Sequence, residues 1–247
     1  TAPTVIYTLS LNDALPISIT VPGKRVLEIA ERILREADNI RRVGEEYAGG
    51  DSGSLIIATT HTQARYALPA VVKDFVERHP KVRLSMHQGS PPQIAEWTIK
   101  GEADIAIATE ALDQYPQLVM LPCYQWGHSL VAPAGHPILA EKSISLAALA
   151  RWPLITYDPA FTGRSRINKA FERAQLTPNI VLAAIDADVI KTYVSLGLGL
   201  GIIASMAYDP ARETGLQAVE GAQRFGRTTP RSGVRKGTSL RPTEDAF

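Results

Sequence analysis

Apolar residues recur seven apart at Val26, Ile33, Ile40 and Tyr47, and Ile29, Ala30, Ala37 and Val43 fill the adjoining stripe. That period predicts one long amphipathic helix with a face made for packing. Acid-before-base pairs at i,i+4 (Glu28 to Arg32, Glu31 to Arg35, Asp38 to Arg42) support it by about 0.3 kcal/mol each on an exposed side. Gly49-Gly50 ends it. A stripe of this length suits packing on the helix's own domain and pairing with another subunit equally well.

From Asp51 onward short apolar runs alternate with helical periodicity, which predicts an α/β fold with largely parallel sheets. Strands are expected near 54–59, 82–87, 104–108, 118–122, 129–133, 153–157, 179–184 and 201–204. Helices are expected near 63–78, 92–100, 145–150, 164–174 and 187–196. Two such units meeting around Cys123 to Ser129 make two lobes with a cleft between them. The stretch Arg224 to Arg241 is basic and free of acids, and reads as a solvated tail.

Length and composition fit this picture. A chain of 247 residues, 45% hydrophobic and 21% charged, can bury one large core or two smaller ones. A net charge of +1 gives no overall electrostatic footprint for nucleic acid or an acidic membrane. Cys123 is the single cysteine, which rules out an intrachain disulfide and a multi-thiolate metal site and suits a cytoplasmic protein. No apolar run is long enough to span a bilayer. The first 18 residues lack the basic start and apolar core of a secretory signal, and they match nothing downstream, so an unrelated leader is expected over 1–19.

Candidate chemistry gathers where strands end. In "IIATTHTQARYALP" an apolar strand gives way, through Thr59, Thr60, His61, Thr62 and Gln63, to a helical run. Amides at a helix N-terminus favour an anion, and threonine hydroxyls and a glutamine amide add neutral donors. One such residue suffices to cap a helix, so the surplus points to a small oxyanion as guest. "HQGSPPQI" ends another strand at Gln88-Gly89-Ser90, "DIAIATEAL" ends one at Thr109, and "YDPAFTGRS" places Thr162-Gly163 just before a helix. In open α/β sheets ligands bind beyond the carboxyl ends of strands, so these loops can converge on one cleft, though each alone is an ordinary turn.

Catalysis finds little support. "GLGIIA" carries the letters of a dinucleotide fingerprint, but it follows a helix and leads into a strand, the reverse of the required order, and reads as a tight turn. The five histidines show no metal-ligand spacing, and neither a nucleophile elbow nor a Walker loop is present. Cys123 is expected to be a buried, inert thiol. No catalytic residue, cofactor or metal is assigned.

The strings "GSLIIATTHTQARYALP", "MHQGSPPQIAEW", "DIAIATEAL", "LVMLPCYQW", "FTGRS" and "DADVIKTYVSLGLGLGIIASMAYDP" closely resemble the LysR-type transcriptional regulators, in the CysB and Cbl branch that controls sulfur assimilation and cysteine biosynthesis. The resemblance runs from about Val21 to Arg241. It implies two Rossmann-like subdomains of periplasmic-binding-protein type, a linker helix that pairs subunits, and homo-oligomers up to tetramers. Subdomain I would cover 51–124 and take back the chain from about 226 to 247; subdomain II would cover 125–225; and 20–50 would hold the end of the wing and the linker helix.

By the same resemblance a sulfate-like anion sits in the cleft, held by Thr60, Thr62, Gln63, Thr109 and Thr162, with Gln88, Gly89 and Ser90 on the pocket wall. Implied effectors are sulfate, thiosulfate, adenosine phosphosulfate and O- or N-acetylserine. The family's winged helix-turn-helix survives only as its closing "TVPG", so promoter DNA is expected as a partner of the intact protein alone. Beyond "SLRPTEDAF" the family continues into further structure, so apolar surface of subdomain I is expected to lie uncovered. The rival readings are a free-standing oxyanion-binding protein and an enzyme with Cys123 as nucleophile.

Overall fold

The computed structural model describes residues 18–49, 52–141, 143–220, 225–227, 229–237 and 240–247, without the side chains of 45–49, 110, 111 and 162. The expected leader therefore lies almost wholly outside the described residues. The chain divides into two units, Thr1–Ile40 and Arg41–Phe247.

Helix α1 runs Val21–Gly49. Thr20 caps it, its hydroxyl accepting from Gly23 N at 3.2 Å, and Pro22 sits in the first turn, where its missing N–H costs nothing. The helix thus starts five residues before the periodic stripe. Of the expected surface pairs, Glu31 and Arg35 approach to 3.9 Å. The stripe is uncovered, with Val26, Ile33 and Ile40 all more than 60% exposed.

The second unit holds two five-stranded sheets. The first contains β1 (Gly53–Thr59), β2 (Val82–Gln88), β3 (Ile105–Ala108), β4 (Leu118–Pro122) and β10 (Arg231–Arg235), in the order β2-β1-β3-β10-β4. The second contains β5 (His128–Pro133), β6 (Leu154–Tyr157), β7 (Ile180–Ala184), β8 (Leu200–Ala204) and β9 (Leu216–Glu220), in the order β7-β6-β8-β5-β9. We call the two sheets with their helices lobe I and lobe II. In each, the fourth strand is reversed: β10 pairs antiparallel with β3 and β4, and β5 with β8 and β9. The expectation of largely parallel sheets is corrected to mixed ones. The basic stretch is corrected too, since Arg231–Arg235 is not a solvated tail but an internal strand of lobe I. Charge runs report surface on average, but Arg231 and Arg235 are half-buried on the face they share with the buried Gly233, Arg231 pairs with Asp113 at 3.1 Å, and Val234 faces the other way.

Both faces of each sheet are covered, which explains strands that read as near-continuous apolar runs. In lobe I, Leu55, Ile57, Ile105 and Ile107 pack with Phe75 of α2 (Pro69–Arg78), and Ala58, Ala106 and Ala108 turn the other way toward Ile94 of α3 (Pro91–Lys100). In lobe II, Leu154, Leu200 and Ile202 face Ile167 and Phe171 of α5 (Thr162–Arg173). Ile155 and Ile203 of that sheet face Ile190 and Val194 of α6 (Ala187–Ser195). Ala246 and Phe247, at the end of a short helix Pro242–Ala246, pack on the lobe I core, Phe247 edge-on to Phe75.

One expected helix is broken. The run 63–78 is a π-helical turn, Gln63–Ala67, then a bend at Leu68, then α2 opening with Pro69. Proline cannot continue a helix but starts one well. A buried charge network also escaped the sequence reading: Asp104 accepts from Ile56 N at 2.8 Å and pairs with Arg42 at 2.6 Å and Arg241 at 2.8 Å. It ties the end of α1 and the C-terminal helix to β1.

Candidate functional site

The pocket lies between the carboxyl ends of the two sheets. Lobe I lines it with Thr60, Thr62, Gln63 and Thr109; Trp126, in the segment that leads into β5, and Tyr157, Phe161 and Gly163 of lobe II line the other side. Its interior volume of about 30 Å³ admits a guest of a few atoms. No lysine, arginine or carboxylate is among the described lining residues.

The turn after β1 divides its side chains by task. Thr59 is structural, its hydroxyl donating to Ile107 O at 2.8 Å across the sheet. Thr62 stands at the cap position of the π-helical turn but makes no capping hydrogen bond, so capping does not account for it. Its hydroxyl lies near the Tyr157 hydroxyl of lobe II and favours the ionised phenol slightly. That phenol is buried, which pushes its pKa up to about 12 and keeps it neutral, and it accepts from Ala204 N at 2.9 Å. His61 faces outward, with Nδ1 at 2.9 Å from Gln88 Oε1.

Gln63 is 1% exposed. Tyr124 donates to its Oε1, which fixes the amide and leaves Nε2 without a hydrogen-bond partner. The Trp126 indole Nε1, also buried, is likewise unpartnered. Buried donors are almost always satisfied, and two orphans lining one pocket are the chemistry of a site for an acceptor-rich ligand.

Helix α5 brings a third donor group. Its cap position, Phe161, supplies no side-chain cap, and Phe161 and Gly163 both line the pocket, which puts the positive end of a 12-residue helix dipole beside it. Gly163 permits the approach: a Cβ there would lie 3.2 Å from the Tyr157 ring and 3.3 Å from His128 Nε2. His128, wholly buried, has no hydrogen-bond partner at either ring nitrogen. Burial, with the Arg166 charge nearby, pushes its pKa down to about 4, so it is neutral at physiological pH.

Of the residues expected from sequence, Thr60, Thr62, Gln63 and Thr109 come together in this pocket. The Thr162 backbone opens α5 next to Gly163, and its side chain lies outside the described ones. Gln88, Gly89 and Ser90 are not among the pocket-lining residues. Gln88 holds His61, Gly89 N bonds to Thr59 O at 3.1 Å, and Ser90 forms a capping box with Gln93 at the start of α3. The sequence reading missed Tyr124, Trp126, Tyr157 and Phe161. The aromatic pair in "CYQWGHS", inside the expected lobe junction, was the available signal.

The family model of the LysR substrate binding domain matches residues 48–247. The chain belongs to this family. It is 54% identical over 223 residues to the HTH-type transcriptional regulator SsuR of Burkholderia cenocepacia, covering 90% of this chain and 72% of that protein. The HTH-type regulator CysB of the same organism is also 54% identical, over 224 residues, covering 91% of this chain and 72% of the relative. Among solved structures, the cofactor-binding domain of the Cbl transcriptional regulator matches with a TM-score of 0.75 and 48% identity, over 77% of this chain and 84% of that one. The relatives of this LysR domain are transcriptional regulators and not enzymes, which agrees with the sequence reading.

Cys123 is exposed, which corrects the expectation of a buried thiol. Partial desolvation still pushes its pKa up, away from the thiolate that a nucleophile requires. One group among the described residues has ligand atoms close enough for a metal, His61, Asp186 and Asp188, within 4.8 Å of one another. Each of the three makes protein contacts as well: Asp188 with Arg65 and Tyr66, Asp186 Oδ1 with Val189 N, and His61 Nδ1 with Gln88. No helix among the described residues is long and apolar enough to cross a membrane.

Proposed function

We propose that this chain is the effector-sensing and oligomerising part of a cytoplasmic regulator of sulfur-assimilation and cysteine-biosynthesis genes. The observation that carries the ligand reading is the pair of orphaned donors, Gln63 Nε2 and Trp126 Nε1, in a pocket lined by hydroxyls and the start of α5. A fully ionised tetrahedral anion offers acceptors in every direction and needs no counter-charge where neutral donors and a helix dipole converge. Sulfate and thiosulfate suit the pocket's small volume. An acetylserine inducer and adenosine phosphosulfate are larger and would bind only after the lobes part.

The resemblance to SsuR, CysB and Cbl supports the sulfur assignment. The exposed stripe of α1 supports subunit pairing through that helix, since three large apolar side chains in heptad register seldom face water in isolation. In this reading subdomain I spans 51–124 with 226–247, subdomain II spans 125–225, and effector binding shifts the lobes in a way that the linker helices carry to DNA-binding domains of the intact protein. Such coupling requires the effector to prefer one lobe arrangement.

Isothermal calorimetry against sulfate, thiosulfate, adenosine phosphosulfate and N-acetylserine tests the proposal. Saturable binding by the wild-type chain that Thr60→Ala abolishes is the expected result. A folded chain that binds none of the four contradicts it.

A further inference from the structure

Arg65 and Tyr66 stand on the same π-helical turn as the pocket residue Gln63, yet they reach lobe II. The Tyr66 hydroxyl donates to Asp188 Oδ1 at 2.7 Å, and Arg65 Nε lies 2.8 Å from Asp188 Oδ2. Asp188 is in the first turn of α6. Beneath it Lys191, 6% exposed, lies 3.3 Å from Asp188 Oδ1 and donates to the Tyr66 hydroxyl at 3.1 Å and to Ala207 O at 2.9 Å. Glu213 pairs with Lys191 and balances its charge. His61 Nε2 of lobe I is 3.6 Å from Asp188 Oδ2. The Tyr66 ring packs against the lobe II core beside Tyr124 and Phe161.

We infer that Asp188 is the closing residue of the cleft: its carboxylate clamps Arg65 and Tyr66 across the lobes and thereby sets the affinity of the pocket. The inference rests on the effector-pocket reading above. Three features set this contact apart from an ordinary surface ion pair. It joins the two lobes and not neighbours on one helix, it is braced by a buried lysine, and its lobe I half is one turn of backbone that also carries Gln63. Opening the clamp therefore displaces a pocket donor. Burial pushes the Asp188 carboxyl up, but the Tyr66 hydrogen bond and the Lys191 and Arg65 charges outweigh it and hold the pKa below the ordinary value. The group is thus fully charged in any physiological buffer. Neither Arg65 nor Asp188 lines the pocket, so an effect on affinity would act through lobe closure.

The test uses the whole chain with Cys123→Ser and spin labels on Lys73→Cys in lobe I and Glu172→Cys in lobe II, with electron-resonance distances recorded without ligand. Asp188→Asn is expected to lengthen and broaden the inter-lobe distance. In calorimetry it is expected to weaken sulfate binding about tenfold, as loss of a charge-assisted contact present only in the closed state should. Arg65→Gln should weaken binding less, and the double variant should be no worse than Asp188→Asn. Unchanged ligand-free distances in Asp188→Asn overturn the inference, as do additive losses. Should the wild-type chain bind no sulfate, the effector reading fails, and the ligand-free distances alone still decide whether Asp188 holds the lobes closed.

Discussion

The two lobes have the same strand order and even the same strand-end device, yet they give the pocket opposite surfaces. Thr59 at the end of β1 donates to Ile107 O, and Thr156 on β6 donates to Ile202 O at 2.9 Å, each tying the second strand of its sheet to the third. Beyond that point lobe I supplies Thr60, Thr62, Gln63 and Thr109, whereas lobe II and the segment leading into β5 supply three aromatic rings and a glycine. Under the proposed effector reading, lobe I would recognise the ligand mainly through side chains, and the aromatic side would cover it and add the Trp126 N–H.

The largest effect expected is on the frame that holds the lobe I turn. Asp104→Ala removes a carboxylate shared by Arg42, Arg241 and Ile56 N, leaving two guanidinium groups in a site with little solvent. Breaking a buried ion pair from one side costs about 3–5 kcal/mol, which urea unfolding would read as a lowered midpoint. A loss under 1 kcal/mol would mean that the network is slack.

Lobe II should carry its own pH signature. His128 folds as the neutral form with a pKa near 4, against an ordinary 6.5. The unfolded chain therefore binds a proton that the folded chain refuses, so stability is full above pH 6.5, falls through the window down to about 4, and then levels off. The total is about 3 kcal/mol by linkage. Thermal unfolding at stepped pH should show that slope, and His128→Phe, which keeps an aromatic ring beside Trp126 and Phe225, should flatten it.

The next effects are on binding and divide by lobe. Gln63→Leu deletes the orphaned donor and leaves the Tyr124 hydroxyl unpaired, and a loss of sulfate affinity of roughly 10–100-fold is expected in calorimetry. Trp126→Phe deletes a single neutral N–H from the covering side and should cost about fivefold, with selectivity among anions unchanged. If the tryptophan mattered more than the glutamine, the division of labour between the lobes would be reversed.

Much of this was legible in the sequence, and the reasons differ by element. Eight of the ten strands were legible, most clearly where two-sided burial makes them apolar throughout, as in Leu55 to Ala58 and Leu200 to Ala204. β9 and β10 were not: β9 is a short edge strand with one buried residue, and β10 has arginines at both ends and only Gly233 fully buried. The turn at Thr60 to Gln63 was readable because four polar side chains exceed what one helix start needs. His61 and Gln88 bond to each other at the rim and Ser90 caps α3, roles that strand-end position alone cannot separate from ligand contact. The aromatic cover was legible only in part: Trp126 lies in the expected lobe junction, but nothing in the sequence links it to Tyr157 and Phe161, about thirty residues on. Nor does anything link the two halves of the Arg65–Asp188 clamp, which spans more than 120 residues of chain.

The most direct test of the central claim is a crystal of the wild-type chain soaked in selenate, with anomalous difference density computed at the selenium edge. One peak is expected between the lobes, within hydrogen-bonding distance of Gln63 Nε2 and the Trp126 indole nitrogen and beside the start of α5. A fully occupied selenate elsewhere on the chain, with the pocket dry or filled by the side chains that line it, would contradict it.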